Sequence, residues 1–286
     1  MKNGIEAFSK PDKEQISDML RLQEAGNSHD GTGYTADFED DFRKEGEKNS
    51  FLFYRDGRLV SMINLFAPGK EEGEITAVTH SDFRRQGCFR RLLEETRREL
   101  KRRAIPSLLF VCDRASESGT AVMAHLGAPY EFSEYLMRYE AEPDLSAAEM
   151  PEIEFAPSVK EEQPELVPIM QEAFDLSAAE ASRRADEFFQ SSKRAFYTIR
   201  LSGKIAGMIG VYEEAERDYI HSFCMGKQFR GRGAGKAALI KTVNLCRSGR
   251  PGRELHLEVQ TGNENALSLY KKAGFRTITV FDYYRR

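Results

Sequence analysis

No uninterrupted apolar segment in the chain approaches the roughly 18 residues that a membrane-spanning helix needs, and the N-terminal stretch MKNGIEAFSKPDKEQ has no apolar run at all. A membrane partner and a hydrophobic leader are therefore not expected, and the chain reads as soluble and cytoplasmic. Basic charge is not in excess either. With a formal net charge of −4 and an isoelectric point of about 5.9, nucleic acid is not expected as a partner, although Arg84, Arg85, Arg90 and Arg91 cluster locally. Cysteine is scarce: Cys88, Cys112, Cys224 and Cys246 show no C-x-x-C spacing. Reduced thiols are expected in place of a disulfide framework or a zinc site, and no metal is called for.

Repetition is what the sequence does contain. HSDFRRQGCFRRLL (80–93) lies over GKQFRGRGAGKAAL (226–239) at an offset of 146 residues, pairing Phe83 with Phe229, Arg84 with Arg230, Gly87 with Gly233 and Leu93 with Leu239. After one inserted residue Gly127 falls opposite Gly274. A chain of 286 residues exceeds one typical domain, so this duplication predicts two domains, 1–143 and 152–286. The boundary is expected in AEPDLSAAEMP (141–151), where two prolines and small or acidic residues interrupt the pattern.

Within each half, hairpin-linked strands precede the repeated loop, and a helix, a strand, a second helix and a last strand follow it. In the first copy Phe89, Leu92, Leu93, Thr96 and Leu100 recur at helical spacing, Ser107–Cys112 reads as a buried strand, and Tyr130–Tyr139 is expected to close the unit. In the second, Leu255–Gln260 reads as a strand, Asn263–Ala273 as a helix ended by Gly274, and Phe275–Tyr284 as the last strand. The fold class is α/β.

In the second copy the loop is Arg230-Gly231-Arg232-Gly233-Ala234-Gly235-Lys236, set between a strand pattern and a helix pattern. Small residues at a helix start let several backbone N–H groups converge, with the positive end of the helix dipole behind them, so the loop can hold an anion. Arg230, Arg232 and Lys236 add charge suited to a pyrophosphate. A P-loop is excluded, because Arg230 stands where its first glycine belongs and Ala237 where its Ser/Thr belongs. A G-x-G-x-x-G/A dinucleotide fingerprint fits from Gly233 to Ala238, but the run of hairpin-linked strands before it does not suit that fold.

The loop resembles the R-x-x-G-x-G element of the GNAT superfamily of N-acetyltransferases through Arg230, Gly233 and Gly235. LEVQTGNENALSLYKKAGF (257–275) is similar to that superfamily's N-x-x-A-x-x-L-Y-x-x-x-G-F element through Asn263, Ala266, Leu269, Tyr270, Gly274 and Phe275. The resemblance implies two tandem GNAT-like domains, each a mixed, mostly antiparallel sheet with a central parallel strand pair flanked by helices. It further implies that acetyl-CoA is the cosubstrate, lying between two diverging strands with its pyrophosphate on the loop 230–236. Phe223, Cys224 and Met225 would hold the pantetheine by their backbone, and Asn263 would contact CoA while capping its helix. The tandem layout resembles mycothiol synthase-type proteins, which says nothing of the substrate.

Acetyl transfer from a thioester to an amine needs a neutral nucleophile, oxyanion stabilisation and an acid for the thiolate. By resemblance Tyr270 is the acid. Glu258 lies twelve residues before it, as in the superfamily's N-terminal-amine acetyltransferases, and shares a strand face with His256 and Gln260; it is one candidate base. His221 on the neighbouring strand is the other. The acceptor is expected to be a primary amine of a small molecule or peptide, met by segments such as 27–42 and 174–190, in a monomer or homodimer. A noncatalytic acyl-CoA-binding module or a transferase using another acyl donor remain as alternatives. In the first copy Ser116 stands opposite Asn263, Met123 opposite Tyr270 and Val111 opposite Glu258, and Phe89 takes the place of Gly235. That half is expected to be catalytically silent, with Phe89 obstructing any pyrophosphate.

Overall fold

The computed structural model describes residues 2–33, 43–140, 150–214 and 217–286. Among them are seven α-helices and twelve β-strands, in two compact units. Unit 1 spans Met1–Glu134 together with Thr279–Arg286, and unit 2 spans Tyr135–Ile278. Most of the expected linker, and the part of the 27–42 segment beyond residue 33, lie outside the described residues.

Unit 1 begins with β1 (Gly4–Phe8) and α1 (Lys13–Asp30), whose N-terminus is fixed by a reciprocal capping box between Asp12 and Gln15. The strands β2 (Ser50–Arg55), β3 (Arg58–Phe66) and β4 (Glu72–Thr79) follow as an antiparallel meander with β1 at its edge. Next come α2 (Cys88–Arg102), β5 (Ser107–Asp113), α3 (Glu117–Leu126) and β6 (Tyr130–Tyr139). α2 buries Leu92, Leu93, Thr96 and Leu100, the stripe its spacing predicts, against Phe51, Ile63 and Phe110 of the sheet.

Unit 2 repeats the plan. β7 (Glu154–Pro157), α4 (Gln163–Phe174), α5 (Ala178–Gln190), β8 (Arg194–Leu201), β9 (Lys204–Glu213) and β10 (Arg217–Met225) lead to α6 (Ala234–Gly249). β11 (Glu254–Gln260), α7 (Glu264–Lys272) and β12 (Phe275–Arg285) complete the chain. One face of the sheet packs on α6 and α7 through Ile220, Leu239, Val243, Leu257 and Phe275; the other packs on α4 and α5 through Leu166, Met170, Ala181, Phe196 and Cys224.

The closing strands differ from the sequence reading. Tyr130–Tyr139 does not close unit 1 alone, because its second half belongs to unit 2 while the end of β12 belongs to unit 1. There, Phe281–Arg285 pairs antiparallel with Leu109–Asp113, and Arg285 forms ion pairs with Glu72 and Glu131. Pairing across that sequence distance leaves no local signature. The division between units is therefore not the linear one at 143 and 152.

Among the described residues each unit shows a parallel strand pair, and each pair parts company midway. β4 and β5 are in register from Glu72/Ser107 to Ile75/Phe110, and β10 and β11 from Arg217/Glu254 to Ile220/Leu257. Beyond those residues the strands diverge, leaving a V-shaped cleft whose edges offer backbone groups not used by the parallel ladder.

Candidate functional site

In unit 2 a bulge on β10 adjoins the cleft. β10 pairs with β9 at His221/Gly210 and next at Cys224/Met208, so one extra residue is accommodated on β10. Ser222 carries that irregularity at φ 49°, a conformation disfavoured for a residue with a Cβ. Gly207 on β9 makes room for the bulged strand: a Cβ there would lie 2.2 Å from the Cys224 carbonyl oxygen. The side chain of Cys224 points into the α4–α5 cluster, and burial pushes its thiol up to about 12. Phe223 and Met225 pack toward α6 and α7. What this segment offers the cleft is therefore main chain, not sulfur chemistry.

The loop that follows starts with a 3₁₀ turn, Lys227–Phe229, and a brace: Arg230 Nε donates to the Met225 carbonyl at 2.8 Å. Gly231 and Gly233 adopt φ 72° and 78°, and Gly233 is the N-cap of α6 with no side chain to cap it. The first-turn N–H groups of Ala234, Gly235 and Lys236 are thus left without a side-chain cap, and Arg232 is exposed beside them. A Cβ on Gly235 would sit 3.5 Å from Phe223 and Met225, an ordinary contact. Its value lies in leaving the main chain bare at the helix start, where an anion is favoured.

The candidate acid and bases occupy different faces. Tyr270 on α7 is buried in the α6–α7 cluster, its ring 6.2 Å from Phe275 and 6.4 Å from Phe223. Burial, with Cys224 nearby, pushes its phenol up to about 12, so it keeps its proton at neutral pH. Glu258 is exposed on the opposite face of β11, one residue past the last parallel pair. Tyr219 on β10 donates its phenol hydrogen to Glu258; burial of that hydroxyl, then the Glu258 charge and hydrogen bond, hold its pKa well above the usual tyrosine range. His221 sits edge-on to Phe196 at 5.1 Å and Phe188 at 6.1 Å, with Nδ1 3.0 Å from the Ser222 hydroxyl. His256, on the same strand as Glu258, is tied to Glu254 at 2.9 Å, and burial lowers its pKa.

Tyr219 was missed from the sequence. Its signal was legible: it precedes His221 by two residues and so shares its strand face, opposite Glu258 on the neighbouring strand. Asn263 caps α7 as expected, accepting from Ala266 N at 3.2 Å.

Unit 1 keeps the loop geometry with different residues. Arg84 has φ −68° and ψ 156° against −68° and 157° for Arg230, and Gly87 has φ 79° against 78° for Gly233. Arg85 even holds φ 60° where unit 2 has Gly231. Arg84 Nε donates to the Thr79 carbonyl at 3.0 Å, the counterpart of the Arg230 brace. β4, by contrast, pairs with β3 from Ser61/Thr79 to Phe66/Glu74 without a register shift, so it has no bulge. Phe89 packs on the unit 1 core and lines a cavity of about 1090 Å³ together with Ala77 and Thr79, which occupy the strand positions where unit 2 carries Phe223 and Met225.

Among the described residues, no helix is long and apolar enough to cross a membrane. The four cysteines are buried free thiols.

A family model described as the acetyltransferase (GNAT) family matches the chain twice, at residues 14–127 and 162–275. Among curated proteins, an N-alpha-acetyltransferase of Sulfurisphaera tokodaii is 26% identical over 110 residues, 34% of this chain and 66% of that protein. N-alpha-acetyltransferase 50 of Danio rerio is 28% identical over 101 residues, 35% of this chain and 60% of that protein. The match thus spans less than two thirds of either relative's own length. Among solved structures, a GCN5-related N-acetyltransferase from Sphaerobacter thermophilus superposes with a TM-score of 0.76 at 20% identity, covering 99% of this chain and 95% of that one. A tandem GNAT protein from the clavulanic acid biosynthesis pathway gives 0.72 at 14% identity, covering 99% and 97%. At these identities the structural likeness speaks to the fold alone.

Proposed function

The chain belongs to the acetyltransferase (GNAT) family, and from that premise we propose that unit 2 transfers an acetyl group from acetyl-CoA to a primary amine of a small molecule or peptide by direct attack. The observation that carries this reading is the bulged divergence of β10 from β11, with Glu258 and Tyr219 on one face and Tyr270 on the other. A donor lying in the cleft would meet an acceptor from the Glu258 side and release its leaving group toward Tyr270.

Acetyl-CoA supplies an activated thioester carbonyl, and the residues present suit it. The uncapped first turn of α6 and the bare main chain at Gly231, Gly233 and Gly235 would receive the pyrophosphate, with Arg232 and Lys236 adding charge. The bulged main chain of Phe223–Met225 would hold the pantetheine and offer an N–H to the developing oxyanion. Glu258 takes the proton of the attacking ammonium or amine, held in orientation by Tyr219. Tyr270 returns a proton to the departing sulfur; burial keeps the phenol in the protonated form that this step requires. Two of the relatives are named for acetylation of α-amino groups, which puts peptide N-termini among the first acceptors to try.

The test is thiol release from acetyl-CoA over a panel of peptides, polyamines, aminoglycosides and other amines. Turnover that depends on one amine class supports the proposal; acetyl-CoA binding with no thiol release for any acceptor would replace it with a noncatalytic binding role.

A further inference from the structure

Ile220 and Leu257 are the last residues paired between β10 and β11, so the next residue on each strand, His221 and Glu258, stands on its own side of the opening cleft. Both side chains lie on the face away from α6 and α7, because Ile220 and Leu257 point into that cluster and successive strand residues alternate. An acceptor entering from this face must pass between them.

The two sides of that entrance differ in chemistry. Glu258 is an exposed carboxylate that takes a hydrogen bond from Tyr219, and it attracts an ammonium group. The His221 side is a block of rings. His221 stands at 90° to Phe196 with centroids 5.1 Å apart and at 70° to Phe188 at 6.1 Å, and Phe188 stacks on Phe196 at 4.4 Å. Gly210 on β9 lets this block form: a Cβ there would lie 2.7 Å from the Phe196 ring and 2.8 Å from the His221 ring. Phe196 is buried, while His221 and Phe188 keep part of their surface open. Glu187, beside Phe188 on α5, is paired with Arg183 at 3.0 Å, so its charge is answered within the helix. This side offers an acceptor apolar surface and not a second anionic contact.

We propose that the acceptor is a primary amine carrying one apolar or aromatic group close to its nitrogen, with the ammonium end at Glu258 and that group against His221 and Phe188. His221 is then a specificity residue and not the base. The inference rests on acetyl transfer by unit 2 and narrows its substrate class: polyamines and aminoglycosides, which bring further cations to be desolvated against the rings, are poor acceptors. Thr76 and Val111 stand at the corresponding positions of unit 1, so neither side of this entrance is repeated there.

The experiment is thiol release from acetyl-CoA by the full chain with ethylamine, phenethylamine and spermidine, each titrated to separate kcat from KM and expressed per neutral amine. Phenethylamine should exceed ethylamine in kcat/KM by at least about tenfold, mostly through KM, because the ring binds away from the reacting nitrogen. Spermidine should fall at least about tenfold below phenethylamine. His221→Ala and Phe188→Ala should each cut the phenethylamine-to-ethylamine ratio at least about fivefold, a comparison in which the two amines' own basicities cancel. His221→Phe keeps a ring but cannot take a proton, and should keep the preference. A ratio that both alanine variants leave unchanged, in protein shown to be folded, overturns the inference and leaves acetyl transfer standing. So does a parent protein that prefers spermidine, or one that turns over other amines but not phenethylamine. No thiol release with any amine overturns the transfer reading and this inference with it.

Discussion

In unit 1 the strand that opens the cleft runs without interruption against its neighbour; in unit 2 its counterpart gains one residue. Ile75 and Ile220 end the parallel pairing in their respective units, so Thr76 answers His221, Ser222 is the insertion, and Ala77 answers Phe223. Around that residue the other differences group. Gly207 faces the bulge where Ser61 hydrogen-bonds Thr79 at 2.8 Å in unit 1. Phe223 with Gly235 becomes Ala77 with Phe89, an exchange of bulk between strand and helix. The loop itself is nearly unchanged in backbone angles. The strand-to-helix turn and the bulge are thus separable: unit 1 keeps the turn without the bulge or the side chains set around it.

The comparison breaks hardest at Tyr270. Tyr270→Phe keeps the ring and its contacts but removes the proton, so kcat for acetyl transfer should fall by about 10²–10⁴ with little change in the acetyl-CoA KM. A loss below about twofold would mean that the ring only packs, as Met123 does in unit 1.

On the other face, Glu258→Gln should lower kcat/KM by about 10²-fold and remove the acidic limb of its pH profile, and His221→Gln should leave that limb in place. Should His221→Gln be the variant that removes it, the base has been misassigned. Tyr219→Phe takes away a donor to the carboxylate; losing a hydrogen bond that favours the charged form raises the Glu258 pKa, so the limb moves to higher pH. A limb that stays where it was would show that Tyr219 does not tune the base.

The bulge can be tested through stability. Gly207→Ala drives a Cβ into the Cys224 carbonyl and should destabilise the fold by about 1–3 kcal/mol in denaturant titration. Ser61→Ala at the unbulged counterpart loses one hydroxyl pair, about 1 kcal/mol. Equal losses would argue that the two strand pairs are equally tight.

The smallest expected effect is in alkaline solution. A phenol is a competent acid below its pKa, and burial has moved that of Tyr270 from 10 to about 12. The kcat profile should therefore show no alkaline fall near pH 10 from this residue, and a Tyr270-dependent fall there would show that the phenol titrates as if exposed.

Much of this was legible because it is local. The glycine-rich turn, the Asn263 cap and the stripe of α2 are set by residues within a few positions of one another. The exchange of closing strands was not, since Phe281–Arg285 finds its partner in Leu109–Asp113 through tertiary packing alone. The surroundings of Phe89 were not legible for a related reason: Ala77 and Thr79, which line the same cavity, belong to a different element.

The central claim is that unit 2 carries the chemistry, and its most direct test is the acetyl-CoA dependence of thiol release by Gly233→Asp under saturating amine. The added Cβ and negative charge at the start of α6 oppose a pyrophosphate there, removing one or more charge-assisted hydrogen bonds of about 1.5–3 kcal/mol each. The account predicts a KM for acetyl-CoA raised at least about tenfold in a protein shown to be folded. An unchanged KM with full turnover would contradict it and put the reacting cleft elsewhere in the chain.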